Sequence, residues 1–117
     1  MSDTPQFCLF CSIADGTVPA AVVMETETVL VFRDINPQAP IHFLAIPKEH
    51  IKSLHEVNPQ SAIVAEIIAS IQSVAEEFNL ANDGYRVVTN IGNNGGQTVD
   101  HFHFHILGGR ALSWPPG

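Results

Sequence analysis

The sequence predicts an α+β domain: a mainly antiparallel sheet of five strands with one long helix and one short one. Three observations carry that expectation. Short β-branched runs cluster in both halves of the chain. A single stretch between them repeats its apolar residues at the helical period. Near the C-terminus, three histidines alternate with apolar residues.

The elements follow in order. "CLFCSIADG" reads as a loop with a short helical turn ending at Gly16. Ala21–Glu25 and Thr28–Asp34 are β-branched runs close enough to form a hairpin. "INPQAP" is turn chemistry, and His42–Pro47 is the third strand. Asn58 offers an N-cap with Pro59 at the first helical position. Val64, Ile67, Ile68, Ile71, Val74, Ala75 and Phe78 then form a stripe of 3.6-residue period, running to about Leu80. This stripe belongs to the core or to a subunit interface. Gly84–Asn90 is the fourth strand, "IGNNGGQT" a Gly- and Asn-rich loop, and the histidine run the fifth strand.

A chain of 117 residues is expected to fold as one domain, 1–117, with a real core. It has no run of about 18 apolar residues, and the polar start "MSDTPQF" lacks the apolar stretch of a secretion signal. A cytoplasmic protein with no membrane partner is therefore expected. Five basic residues and a net charge of −7 exclude a nucleic-acid partner, since that binding rests on Lys and Arg neutralising phosphates. A small anion held by histidines and backbone N–H groups stays open.

His101, His103 and His105 take alternate places in a chain with six histidines. On a strand they share one face while Phe102, Phe104 and Ile106 fill the other. Adjacent same-face positions lie roughly 6.5–7 Å apart and the outer two about 13 Å apart, too far to share one metal naturally. The three rings therefore divide the labour. The loop before them carries Gly95 and Gly96, which permit consecutive N–H groups to converge on an anion, with Asn90 and Thr98 as neutral donors. Both cysteines sit in one C-x-x-C, Cys8 and Cys11. In a cytosolic protein that spacing means metal or redox chemistry before a structural disulfide, and no thioredoxin-like pattern surrounds it. A closed tetrahedral site needs two more ligands, and His50 and His101 are available. His55 reads as a solvated side chain.

The run "HFHFHIL" (His101–Leu107) resembles the signature of the histidine triad (HIT) family, in which histidine alternates with apolar residues. "FRDINPQAPIHFLAIPKEHI", "GYRVVTNIGNNGGQTVDHFHFHILGGR" and "WPPG" resemble, more narrowly, its nucleotide-binding branch with nucleoside phosphoramidase activity. Dinucleoside polyphosphate hydrolases of neighbouring branches share the lead-in and lack the "LGGR…WPPG" tail. The resemblance implies a HIT-like fold that hydrolyses purine nucleoside 5′-phosphoramidates through a nucleotidyl-histidine, without a catalytic metal. It implies His103 as nucleophile, His105 as the residue that helps deliver a proton to the leaving amine, and His42 as an auxiliary histidine. It also implies an α-phosphate held by Asn90, Gly96, Gln97 and Thr98, a ribose bonded to Asp34, and a base clasped by Phe10, Ile13, Phe32 and Ile35. Purine nucleotides such as AMP and GMP are the implied ligands, in a homodimer that joins two sheets. Some members carry a structural Cys₂His₂ zinc site, which supports the set Cys8, Cys11, His50 and His101. Asp100 and "RALSW" depart from relatives, which leaves the leaving-group specificity open. The alternatives are a metalloenzyme with zinc on the triad itself and a non-catalytic nucleotide-binding regulator.

Overall fold

The computed structural model describes residues 7–116. The short helix α1 spans Leu9–Ala14, followed by β1 (Val22–Glu25), β2 (Val29–Arg33) and β3 (Ile41–Pro47). A 3₁₀ turn at Leu54–Glu56 leads to the long helix α2 (Ala62–Glu77), a single further turn α3 (Leu80–Asp83), then β4 (Arg86–Val88) and β5 (Phe104–Gly108). The strands form one five-stranded sheet in the order β1-β2-β3-β5-β4, and every neighbouring pair is antiparallel. Among the described residues no helix is long and apolar enough to cross a membrane.

The period-two alternation sorts the side chains onto two faces. Val29, Val31, Phe43, Ala45, Phe102 and Ile106 pack against Ile67, Ile71 and Val74 of α2. Leu30, Phe32, Leu44 and Ile46 face the other way, where Phe10 of α1 covers them. One face of the sheet therefore makes the main core, and the opposite face carries a smaller apolar cluster with room for chemistry beside it.

Several boundaries differ from the sequence expectation, each for a local reason. Helix α2 takes Ser61 as its N-cap rather than Asn58. Asn58 instead closes a turn on its own main chain: its side-chain oxygen accepts the Gln60 N–H at 3.0 Å and its carbonyl accepts the Ser61 N–H at 3.0 Å. Asn side chains compete with helix in this way. The helix stops before Leu80 because Asn79 takes a left-handed φ of 59°, after which α3 adds one more turn. The fourth strand keeps ladder pairing only over Arg86–Val88. The fifth begins at Phe104, because the Phe102 N–H goes to the Ile51 carbonyl at 2.6 Å instead of to a neighbouring strand. The histidine alternation nonetheless holds: Phe102 and Ile106 are buried under α2 while His101 and His103 lie under α1.

Candidate functional site

Register brings the polar residues together. Arg33 pairs with Phe43 across β2 and β3, which places Asp34 opposite His42 one step further on. The Asp34 N–H donates to the His42 carbonyl at 3.0 Å, and the His42 Nε2 lies 3.3 Å from an Asp34 carboxylate oxygen. On the other side of β3, His42 pairs with Leu107 and Leu44 with His105, so the two histidines are diagonal neighbours on one face. Their rings meet with His42 Nε2 2.9 Å from His105 Nδ1.

Each ring has its proton placed by a partner that can only donate or only accept. The His103 Nδ1 lies 2.7 Å from the His101 carbonyl, which can only accept. Nδ1 therefore carries the hydrogen and Nε2 keeps a free lone pair. His42 is the reverse case: its Nδ1 accepts the Gln38 main-chain N–H at 3.0 Å, so its hydrogen sits on Nε2 and points to His105. His105 then accepts at Nδ1 and holds its own hydrogen on Nε2. His103 and His105 pack at 5.1 Å between ring centroids, and Phe10 stands edge-on to His103 at the same distance.

Phe10 also meets Phe32 at 5.5 Å, and both are buried, with Ile13 packed on their cluster. Ile35 is 99% exposed. In the Gly-rich loop, Gly96 takes a φ of +79° and its N–H donates to the Asn93 carbonyl. Gln97 is spent on the loop itself: its amide hydrogens go to the Lys52 and Val99 carbonyls, and its oxygen accepts the Gly92 N–H. Asn90 braces the turn through the Gly95 carbonyl at 2.7 Å. Of the residues expected to hold a phosphate, these bonds leave Thr98 and the second Asn90 amide hydrogen as side-chain donors that the loop does not use.

The cysteines and the two remaining histidines converge beside this face. The ligand atoms of Cys8, Cys11, His50 and His101 all lie within 4.8 Å of one another. His101 Nδ1 is 3.4 Å from Cys8 Sγ and 3.5 Å from Cys11 Sγ, and His50 Nδ1 is 3.2 Å from Cys11 Sγ. A tetrahedron around a zinc-sized cation has sulfur–nitrogen edges of about 3.5 Å. The fully buried His101 donates from Nε2 to the Pro47 carbonyl at 2.8 Å, so its Nδ1 lone pair faces the sulfurs. Metal-bound imidazoles are oriented by such a bond. The four residues fit a closed cation site. Burial pushes the Cys11 thiol up to about 11, with Cys8 and Asp15 adding to the effect, so a cation would have to displace its proton.

Asp34, His42 and His105 form a second group of this kind. Here the fit fails. The Gln38 N–H occupies His42 Nδ1 and leaves a hydrogen on the very nitrogen that would ligate. Main-chain partners such as Gln38 and Pro47, and the Thr89 hydroxyl bonded to the His103 carbonyl at 2.7 Å, were not marked by the sequence. Thr89 sits at the end of a recognisable strand, but the other two act through atoms that every residue has.

Burial holds His105 at about 4, well below its ordinary 6.5, with His103 and His42 lowering it further and Asp34 opposing. Burial lowers His42 too, again opposed by Asp34. This desolvation makes His105 neutral at pH 7. A base whose folded pKa is depressed stabilises the fold fully above its unfolded pKa. That stability is lost as the pH falls, here from about 6.5 towards 4, because the unfolded chain takes the proton first. Denaturation midpoints measured from pH 7.5 to 4.5 should therefore fall more steeply in the wild type than in His105→Gln. Parallel curves would show that His105 accepts its proton equally well in the folded state.

A family model described as the HIT domain matches residues 15–112. An uncharacterized HIT-like protein of Synechococcus elongatus is 44% identical over 110 residues, covering 93% of this chain and 96% of that protein. The crystal structure of a HIT family hydrolase from Legionella pneumophila superposes with a TM-score of 0.92 at 49% identity, covering 95% of this chain and all of the other. A histidine triad nucleotide-binding protein from Candida albicans gives 0.81 at 31% identity, covering 93% and 83%. Sheet order, alternating histidines and sequence thus agree along nearly the whole length, and the chain belongs to the HIT family.

Proposed function

We propose that the protein hydrolyses nucleoside 5′-phosphoramidates, purine ones in particular, by way of a nucleotidyl-histidine. One observation carries this reading: His103 is held by the His101 carbonyl with its Nδ1–H engaged and its Nε2 lone pair free. A nucleophilic imidazole requires that state. In the reaction, Nε2 of His103 attacks the α-phosphorus, the phosphorus–nitrogen bond breaks, and the electron pair leaves with the amine. His105 gives that amine a proton. Its low pKa in the free site is compatible with this role, because a phosphate brought against it adds the negative charge that favours the protonated ring. The His42 Nε2–H then passes from His105 Nδ1 to the Asp34 oxygen 3.3 Å away. Water then attacks the phosphorus and releases the nucleoside monophosphate and a neutral His103.

The free Asn90 and Thr98 donors face the phosphate in this reading, on a loop shaped by Gly96 and Gln97. Asp34 takes the ribose hydroxyls, and Phe10, Ile13, Phe32 and the exposed Ile35 surround the base. The Legionella and Candida relatives, a hydrolase and a nucleotide-binding protein, support the class. His103→Ala should lower turnover of a fluorogenic adenosine phosphoramidate by at least several hundredfold, as loss of covalent catalysis does. Binding of AMP should persist within about tenfold. Near-normal turnover in that variant would remove the nucleophile, and binding without turnover in the wild type would favour a regulator.

Zinc is the cation we assign to Cys8, Cys11, His50 and His101, in a structural role, since four protein ligands leave no open position. A cytosolic setting would keep both thiols reduced and available. Metal analysis of protein purified without chelator should find about one zinc per chain. Cys8→Ser should lower the melting temperature far more than the rate per folded molecule. A metal-free protein with an unchanged melting temperature would end the assignment.

A homodimer completes the reading. The free edge of β4 carries Val87, exposed like Ile68 of α2 and Ile91 beyond the strand, which is apolar surface that a second copy would cover. Light scattering at micromolar concentration should return twice the mass of the chain; a monomer mass would overturn this.

A further inference from the structure

The segment Gly109–Arg110 follows β5 and grips the turn before β3. The Arg110 guanidinium donates from one nitrogen to the Gln38 carbonyl at 3.0 Å and from another to the Ala111 carbonyl at 3.0 Å. Gly109 has a φ of +89°, and a Cβ built there would stand 2.9 Å from the Pro40 Cβ. A side chain at Gly109 would thus be strained and would push on the turn. Ile41 pairs with Gly108, so the two turns meet at the same end of adjacent strands.

That turn presents the Gln38 N–H to His42 Nδ1. Without this donor the Nδ1–H form opens to His42, opposed only by the Asp34 carboxylate oxygen 3.3 Å from Nε2, and only the Nε2–H form donates to His105 Nδ1. Resting on the phosphoramidase reading above, we propose that Arg110 and Gly109 are positioning residues for His105. They hold the Gln38 main chain so that His42 keeps one tautomer, and His42 in turn keeps the His105 Nε2–H aimed away from the pair and available to the substrate. Arg110 is exposed, and an exposed single contact of this kind contributes little to global stability. Its effect should therefore be read in the rings.

The test is multiple-bond proton–nitrogen NMR of ring-labelled protein at pH 7.5, beside kinetics on an adenosine phosphoramidate. The wild type should show His42 and His105 each as the Nε2–H tautomer and His103 as the Nδ1–H tautomer. In Arg110→Ala, His42 and His105 should give averaged ring shifts while His103 is unchanged. The kcat should fall about tenfold with AMP affinity held within twofold, the scale of one lost charge-assisted hydrogen bond. Arg110→Lys, which keeps a donor for the Gln38 carbonyl, should restore both rings and most of the rate. Gly109→Ala should act like Arg110→Ala; if it fails to fold, the arginine variants decide. Unchanged tautomers in Arg110→Ala would overturn the proposal, including the case where kcat falls alone, which would place Arg110 on the substrate instead. If the wild type turns over no phosphoramidate but its tautomers respond as described, the positioning stands and the phosphoramidase reading falls.

Discussion

The site depends on the hydrogen bond between His103 Nδ1 and the His101 carbonyl, 2.7 Å long and internal to one stretch of chain. A neutral imidazole has one hydrogen and two nitrogens. Which nitrogen is free depends on the partner of the other. Because a carbonyl can only accept, the backbone itself decides that Nε2 of His103 is the basic nitrogen. The Pro47 carbonyl decides for His101, and the Gln38 N–H decides for His42 and through it for His105. Main-chain groups are well suited to this task, because the sheet that holds them is rigid and a side-chain substitution does not remove them.

The two faces of β5 explain why such a site can exist in a small protein. Phe102 and Ile106 are almost wholly buried against α2, where they anchor the strand in the larger core. Its central place between β3 and β4 removes any edge along which it could slip. The opposite face is then free to carry polar rings without being asked to hold the fold. Phe10 links the halves of that face, since its ring lies edge-on to both His101 and His103 at 6.0 and 5.1 Å. A cation held by the neighbouring cysteines would fix α1 and with it this ring. The candidate cation site and His103 are thus connected by packing while their donor atoms remain separate.

Much of this was legible in the sequence because period-two alternation and C-x-x-C spacing are local patterns, each with few physical meanings. The histidine run predicted a shared face, and the strand runs and the long stripe predicted the α+β sheet. Boundaries were less legible where a side chain competed for the backbone, as Asn58 does before α2 and as Asn79 does after it. The loop before the histidines was legible as glycine-rich, but not that Gly96 and Gln97 would spend their donors on protein carbonyls. Least legible were the groups that set the tautomers. Gln38 and Pro47 act through main-chain atoms, so only the register of β3 against β5 could reveal them.

Burial and crowding together explain why the imidazoles on this face do not behave alike. His105 is lowered first by desolvation and then by His103 and His42, which means that a proton on one ring disfavours a proton on the next. Near neutral pH His105 is therefore uncharged, and Asp34 offsets the burial of His105 and His42 only in part. An approaching phosphate changes that balance by adding negative charge where the chain has few basic residues of its own. It favours protonation of the ring whose free N–H it meets, while His103, with its Nδ1–H already committed to a carbonyl, keeps the lone pair. Under the proposed function one anion would therefore make an acid of His105 and leave its neighbour a nucleophile, because a main-chain acceptor sets His103 directly while the Gln38 donor sets His105 through His42.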